Sequence, residues 1–258
     1  MIKRVYNLKV ERLDSCKLCL MKLPISNKLP GVINLRNQMP PVYDQASLGS
    51  CTAQAFCGLI AYVQPSFNAS RLFLYYCERV LGKTVDIDSG ATLSDGIQSL
   101  QKNGVCLERM WPYIISKFAV KPPDICFKDA LNHQALKIQN INSSSLSAMK
   151  NCLVYGLRGA NSPKGPKGLP FVIGFLVYSS FESQQVAKTG IVPMPKPGEE
   201  CLGGHAICVV GFDDSKKWFI CRNSWGSGWA IGGYFYMPYA YLSNPNLATD
   251  AWTITLME

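Results

Sequence analysis

The chain has 258 residues, 48% of them hydrophobic and 17% charged, enough for a full core without disulfide staples. No run approaches the ~20 consecutive apolar residues of a membrane span, which argues against a transmembrane protein. Twenty-six Lys and Arg against 17 Asp and Glu give a net charge of +9, but the basic residues are scattered through "MIKR", "SPKGPKG" and "SKK" without interleaved aromatics, so no nucleic-acid partner is expected.

Residues 1 to about 33 are charged, weakly periodic and punctuated by proline in "PISNKLPG". They read as an extension ahead of one domain over 34–258. The opening charges leave no room for the apolar core of a secretory signal, so a cytoplasmic location or a non-classical route is expected. Cys16 and Cys19 form a "CKLC" pair, yet the chain has only two histidines and no second close cysteine pair, and no metal site is expected. The eleven cysteines are odd in number and irregularly spaced, with Cys57, Cys152 and Cys208 inside apolar runs. That usage suits buried free thiols of a reducing compartment better than a disulfide framework.

From Cys51, "CTAQAFCGLIAYVQ" spaces Ala55 with Leu59, and Phe56 with Ile60 and Val63, as a buried helix that stops before Pro65. In "TLSDGIQSLQKNG", Leu93, Ile97 and Leu100 line one helical face, Thr92 and Asp95 make a capping pair, and Gly104 ends it. "SSLSAMKNCLVYG" carries a further helix closed by Gly156. His133, in "FKDALNHQALKI", lies away from any motif and reads as structural or exposed. After a Gly/Pro/Lys-rich loop at 158–170 come β-type runs at 171–177, 205–212, 218–222, 233–237 and 251–256. A helical half followed by a sheet-rich half predicts an α+β protein of two lobes with a cleft where they meet.

Three stretches carry chemistry: "DQASLGSCTAQAFCG" (44–58), "GGHAICVVGFDD" (203–214) and "RNSWGSGWAIGGYFY" (222–236). Together, in the order Gln, Cys, His, Asn, they resemble the papain-like cysteine peptidases, nearer in wording to prokaryote-type and large-virus members than to lysosomal ones. The resemblance runs from about Asn34 to the C-terminus. It implies a papain-like fold with a helical N-terminal lobe, an antiparallel β-sheet C-terminal lobe and the active-site cleft between. It implies Cys51 as nucleophile, His205 as general base and acid, Asn223 as the amide that orients the imidazole, and Gln45 as an oxyanion donor. Trp225 matches the tryptophan that shields the Asn to His hydrogen bond. Ser89 and Gly90 in "DSGATLSDG", with Gly204, match the substrate wall. No cofactor is implied, and the partner is a polypeptide substrate.

Physical chemistry supports those roles. A thiol in the first turn of a helix feels the positive end of the dipole and free backbone N–H groups, which favour the thiolate. His205 opens a strand behind Gly203 and Gly204, and Asn223 sits in the turn after "WFICR", where its carbonyl can hold one ring nitrogen and leave the other for the thiol. The Cys51 N–H and the Gln45 amide form a donor pair for a developing oxyanion. Leu48 and Thr52 stand where the family's signature has a cysteine and an aromatic, and Thr52 is expected to change the shape of the nucleophile's pocket. His205 lies 154 residues beyond Cys51, past the span of about 130–150 expected, and the 158–170 loop takes up the surplus.

The expected activity is endopeptidase hydrolysis through a thioester. The same triad can also pass the acyl group to an amine, as a transpeptidase or isopeptidase. A silent papain fold used as a binding module would predict decay at one of the four positions, and none is decayed. Family zymogens carry a long helical prosegment, for which residues 1–33 are too short, but an extension of this composition is expected to mask part of the cleft.

Overall fold

The computed structural model describes residues 4–10, 29–156 and 167–257. The Cys16–Cys19 pair and most of the 158–170 loop lie outside them.

Helix α1 (Cys51–Val63) is the axis of the molecule. Its residues 51 to 62 are all buried. A helix apolar on every face must be wrapped, and α2 (Arg71–Leu81) and α3 (Leu93–Lys102) pack on one side of it with the sheet on the other. The predicted capping box of α3 is present: Thr92 Oγ1 accepts from the Asp95 N–H and the Asp95 carboxylate accepts from the Thr92 N–H. Helices α4 (Asp124–Ala130) and α5 (Leu146–Tyr155) follow, α5 matching the predicted third helix and capped by Ser145.

One antiparallel sheet runs β2-β7-β3-β4-β5-β6, with β1 also paired to β4. Its strands are β1 (Val32–Asn34), β2 (Ala135–Ile141), β3 (Phe171–Tyr178), β4 (Cys201–Asp213), β5 (Trp218–Arg222), β6 (Tyr234–Pro238) and β7 (Ala248–Met257). Short helices α6 (Gln184–Thr189) and α7 (Tyr239–Leu242) sit at its connections. Strand β4, at 13 residues, pairs with β3 over its first part and with β1 and β5 over its last. The protein is thus a two-lobed α+β fold with α1 packed against β4, β7 and β3 in the middle of the sheet.

Three expectations need correction. The division into a helical half and a sheet half is not clean in sequence, because β1 and β2 come from the first half and complete the sheet on β4 and β7. His205 does not open its strand: β4 begins at Cys201 and continues through Gly203, whose φ of +136° a side chain would not tolerate. Helix α2 went unpredicted. The 3.6-residue period is present, with Arg71, Glu78 and Arg79 at i, i+7 and i+8, but the unbroken apolar run from Leu72 to Cys77 masks it, and Glu78 and Arg79 suggest a solvated end.

Both charged residues are buried. Arg79 donates to the Val85 and Phe118 carbonyls and stacks on Tyr75. Glu78 accepts from Thr52 Oγ1 at 2.7 Å, while its second oxygen has no partner. Burial holds the Glu78 carboxyl far above the ordinary glutamate range, so it stays protonated behind the nucleophile helix. The folded state therefore binds a proton that the unfolded chain loses above about pH 4.3, and Glu78 costs stability as pH rises past that point. Glu78→Gln should gain stability relative to the parent between pH 5 and 8, the gain growing with pH in urea unfolding. A constant difference across that range would contradict a neutral Glu78.

Candidate active site

Cys51 is the first residue of α1 and has no exposed surface. The backbone N–H groups of Ala206, Thr52 and Cys51 itself point at its sulfur and pull its pKa down. Ala206 adjoins His205, so the thiol lies beside the imidazole's own strand. Thr52, whose identity was expected to reshape the pocket, turns its hydroxyl away to Glu78.

The His205 ring is held by proton logic. Asn223 Oδ1 accepts from the Ser224 N–H at 2.8 Å, which fixes the amide's orientation, and lies 2.8 Å from His205 Nε2. An oxygen only accepts, so Nε2 carries the proton and Nδ1 is left as the lone pair. Among the described residues Nδ1 has no hydrogen-bond partner. Trp225 lies over the imidazole with centroids 5.3 Å apart, and Phe175 meets it edge-on at 5.8 Å. Asn223 itself follows Arg222, a buried guanidinium that donates to the Pro41 carbonyl at 2.6 Å and stacks on Tyr43. Gly58 in α1 leaves the room it needs: a Cβ there would stand 3.1 Å from its terminal nitrogen.

Gln45 is buried and fixed at both ends of its amide. Its Nε2 donates to the Leu48 carbonyl at 2.8 Å, and its Oε1 accepts from Ser224 Oγ at 2.6 Å. Because the Leu48 oxygen only accepts, the nitrogen must face it, and one further N–H remains on that nitrogen. The Gln45 N–H donates to the Ser224 carbonyl at 2.9 Å, tying the loop to the segment that carries Asn223. Cys51, His205, Asn223, Gln45 and Trp225 thus come together, drawn from α1, β4, the loop before α1 and the turn after β5.

Residues 4–10 run across this assembly. Tyr6 sits edge-on to both His205 and Trp225, each at 6.0 Å, and its hydroxyl donates to Glu182. Asn7 lies against Gly49 and Gly90, and its Nδ2 donates to the Asp88 carbonyl at 2.8 Å. Leu8, almost fully buried, donates its N–H to the Gly204 carbonyl at 3.1 Å and packs on Gly174. The Lys9 N–H reaches the Ala91 carbonyl at 3.1 Å, and Arg4 lies 4.0 Å over the Trp225 ring. This strap bridges the loop before α3 and the strand before His205. Gly90, at φ +69°, faces it so closely that a Cβ would strike the Asn7 carbonyl. Gly204 likewise faces Leu8. Ser89 does not join them, because its hydroxyl donates to Thr84 Oγ1 at 2.7 Å within its own turn. Sequence reasoning missed Ser224, Glu182 and Asp88; only the Ser in "NSWG" carried a local signal.

Burial outweighs the helix end here. It pushes the Cys51 thiol up to about 12 despite the N–H groups, and the His205 imidazole down to about 4 despite Asn223. With the strap seated, a neutral thiol and a neutral ring are favoured, in place of the thiolate expected of an uncovered helix start.

Residues 29–254 match the family described as papain family cysteine protease. The chain belongs to the papain family. A peptidase C1-like protein of Acanthamoeba polyphaga mimivirus is 42% identical over 237 residues, spanning 88% of this chain and 75% of that one. Xylellain, a cysteine protease from Xylella fastidiosa, superimposes with a TM-score of 0.84 at 33% identity, covering 98% of this chain and 97% of its own. A procathepsin B from Trypanosoma congolense shares the fold at a TM-score of 0.72 and 15% identity, over 98% and 87% of the two chains. The protein is accordingly a cysteine-type peptidase. Among the described residues no helix is long and apolar enough to cross a membrane and no metal-binding cluster is present.

The geometry predicts the state of the ring. In the full chain at pH 6, imidazole 15N spectra should show His205 as the neutral Nε2–H form, and Asn223→Ala should move its titration to still lower pH. A protonated His205 at pH 7 would contradict this.

Proposed function

We propose that the chain hydrolyses peptide bonds within polypeptides through a thioester on Cys51, and that residues 4–10 hold it latent. The observation that carries the catalytic reading is the Asn223 to His205 hydrogen bond under Trp225, on the strand that meets the first turn of α1. Nδ1 of His205 takes the Cys51 proton as the sulfur attacks the carbonyl carbon. The free N–H of Gln45 and the Cys51 backbone N–H receive the oxyanion, a pair worth roughly 3 kcal/mol per donor in comparable sites. As the C–N bond breaks, His205 returns its proton to the leaving amine. Water then attacks the thioester, giving a proton to His205, and the C–S bond breaks to restore the thiol.

Latency follows from the strap's contacts. Tyr6 covers the imidazole, Asn7 and Leu8 take the backbone positions at Gly90 and Gly204 that an extended substrate would need, and burial keeps the thiol protonated. Leu8→Asp places a carboxylate in a buried apolar seat and should release the strap while leaving the core intact. Hydrolysis of a fluorogenic peptide should then rise at least about tenfold, as it should on deletion of residues 1–30, and Cys51→Ala or His205→Ala in either background should abolish it. An unchanged rate in both opened forms would remove the latency; no turnover in any form would remove the hydrolytic reading and leave a binding module. Added amine nucleophiles that divert the product would favour acyl transfer.

A raised thiol pKa means that thiolate appears only as pH increases. Iodoacetamide labelling, read at the Cys51 peptide by mass spectrometry, should therefore be negligible below pH 8 in the parent, and Leu8→Asp should shift its profile to lower pH. Coincident profiles would contradict burial by the strap.

A further inference from the structure

Tyr113 enters no role derived so far, yet its hydroxyl joins the two halves of the oxyanion-donor pair. The Tyr113 oxygen lies 3.0 Å from the Gln45 carbonyl and 2.6 Å from Ser50 Oγ, and Gln54 Nε2 donates to that same Ser50 oxygen at 3.2 Å. Proton counting fixes the directions. The Gln45 carbonyl only accepts, so the single Tyr113 proton goes there, and Ser50 must donate to Tyr113. The chain of donors is Gln54 to Ser50 to Tyr113 to Gln45, every step running one way.

Its two ends matter chemically. Gln45 carries the side-chain donor, and Ser50 immediately precedes Cys51, whose backbone N–H is the other. The intervening turn passes through Ala46 at φ +49°, a conformation uncommon outside glycine, and the Gln45 carbonyl's other partner is the Leu48 N–H at 3.2 Å. Tyr113 is clamped from outside the site. Its N–H donates to Glu108 at 2.9 Å, and the Arg71 guanidinium, paired with Glu108 at 2.6 Å, lies 4.7 Å over its ring.

We infer that Tyr113 is a positioning residue that sets the spacing between the Gln45 amide and the Cys51 N–H, and so the fit of the oxyanion. The inference rests on the peptidase reading above. It requires the hydroxyl specifically, since the ring's packing survives in phenylalanine.

The test is Tyr113→Phe in the full chain carrying Leu8→Asp, against the same chain with Tyr113 intact. Expected results are a kcat about tenfold lower with KM within about twofold, and a peptide aldehyde, whose hemithioacetal carries the oxyanion, bound about tenfold more weakly. Iodoacetamide labelling of Cys51, a displacement at saturated carbon that develops no oxyanion, should stay within about twofold. Added to Gln45→Ala, Tyr113→Phe should have almost no further effect on kcat, because it acts through that side chain. Equal slowing of labelling and hydrolysis, an unchanged aldehyde affinity, or additive losses with Gln45→Ala would each overturn the inference. A reference chain that neither turns over peptide nor binds aldehyde would instead remove the peptidase reading and this inference with it.

Discussion

A fully buried helix lies against the middle of a sheet with its first turn beside β4, and the rest of the architecture closes around that contact. Helix α1 is buried all round, so its first turn cannot satisfy its donors with water. One sulfur and the groups around it take that role. Because β4 passes at Ala206, the residue next to His205, the same contact that satisfies the thiol also sets imidazole and sulfur on neighbouring positions. The buried Arg222 behind Asn223 and the bare Gly58 that makes room for its guanidinium tie α1 to the segment that carries Asn223.

The polar groups around the site form an almost closed account of donors and acceptors. Asn223 takes two hydrogens on one oxygen, Gln45 is held by one backbone carbonyl and one serine, and Ser224 serves both residues. What is left over is informative. Among the described residues His205 Nδ1 has no partner, nor have Asn223 Nδ2, Arg222 Nε and Gln54 Oε1 nearby, and Gln45 Nε2 keeps a second hydrogen; of these, the first and the last are the groups that the proposed acyl transfer would use. A buried polar atom without a partner is costly, and at His205 Nδ1 that cost fits the proposed proton transfer from Cys51.

The motif residues were legible in the sequence because each sits in a local setting that announces itself: a helix start after Gly-Ser, a Gly-Gly step before His205, a turn after a short strand. Capping at Thr92 and Asp95 was legible for the same reason. Helix α2 was not, since its polar residues fall only at its ends and the six between them, Leu72 to Cys77, form an unbroken apolar run that reads equally well as a strand. Nor was the partner of Thr52, because the Glu78 contact joins residues 26 apart through a packing arrangement that no local rule encodes. The electrostatic expectation for Cys51 erred in weight more than in kind: the helix-end contribution is present, and desolvation exceeds it. Burial depends on every element that closes over a residue, including a strap more than forty positions earlier in the chain.

That strap and the nucleophile belong to one covalent chain, which has a consequence for how the protein behaves on dilution. A separate inhibitor leaves its enzyme as concentrations fall, whereas on the proposed latency the release of residues 4–10 would be a unimolecular equilibrium with a constant that contains no concentration. A substrate would then meet only the fraction of molecules that are open, and its apparent affinity would be reduced by that fraction at any protein concentration. Apart from a ligand that occupies the open cleft, the terms that would change the fraction are those that act on the strap itself, by severing it, by binding it elsewhere, or by weakening the seats of Tyr6 and Leu8.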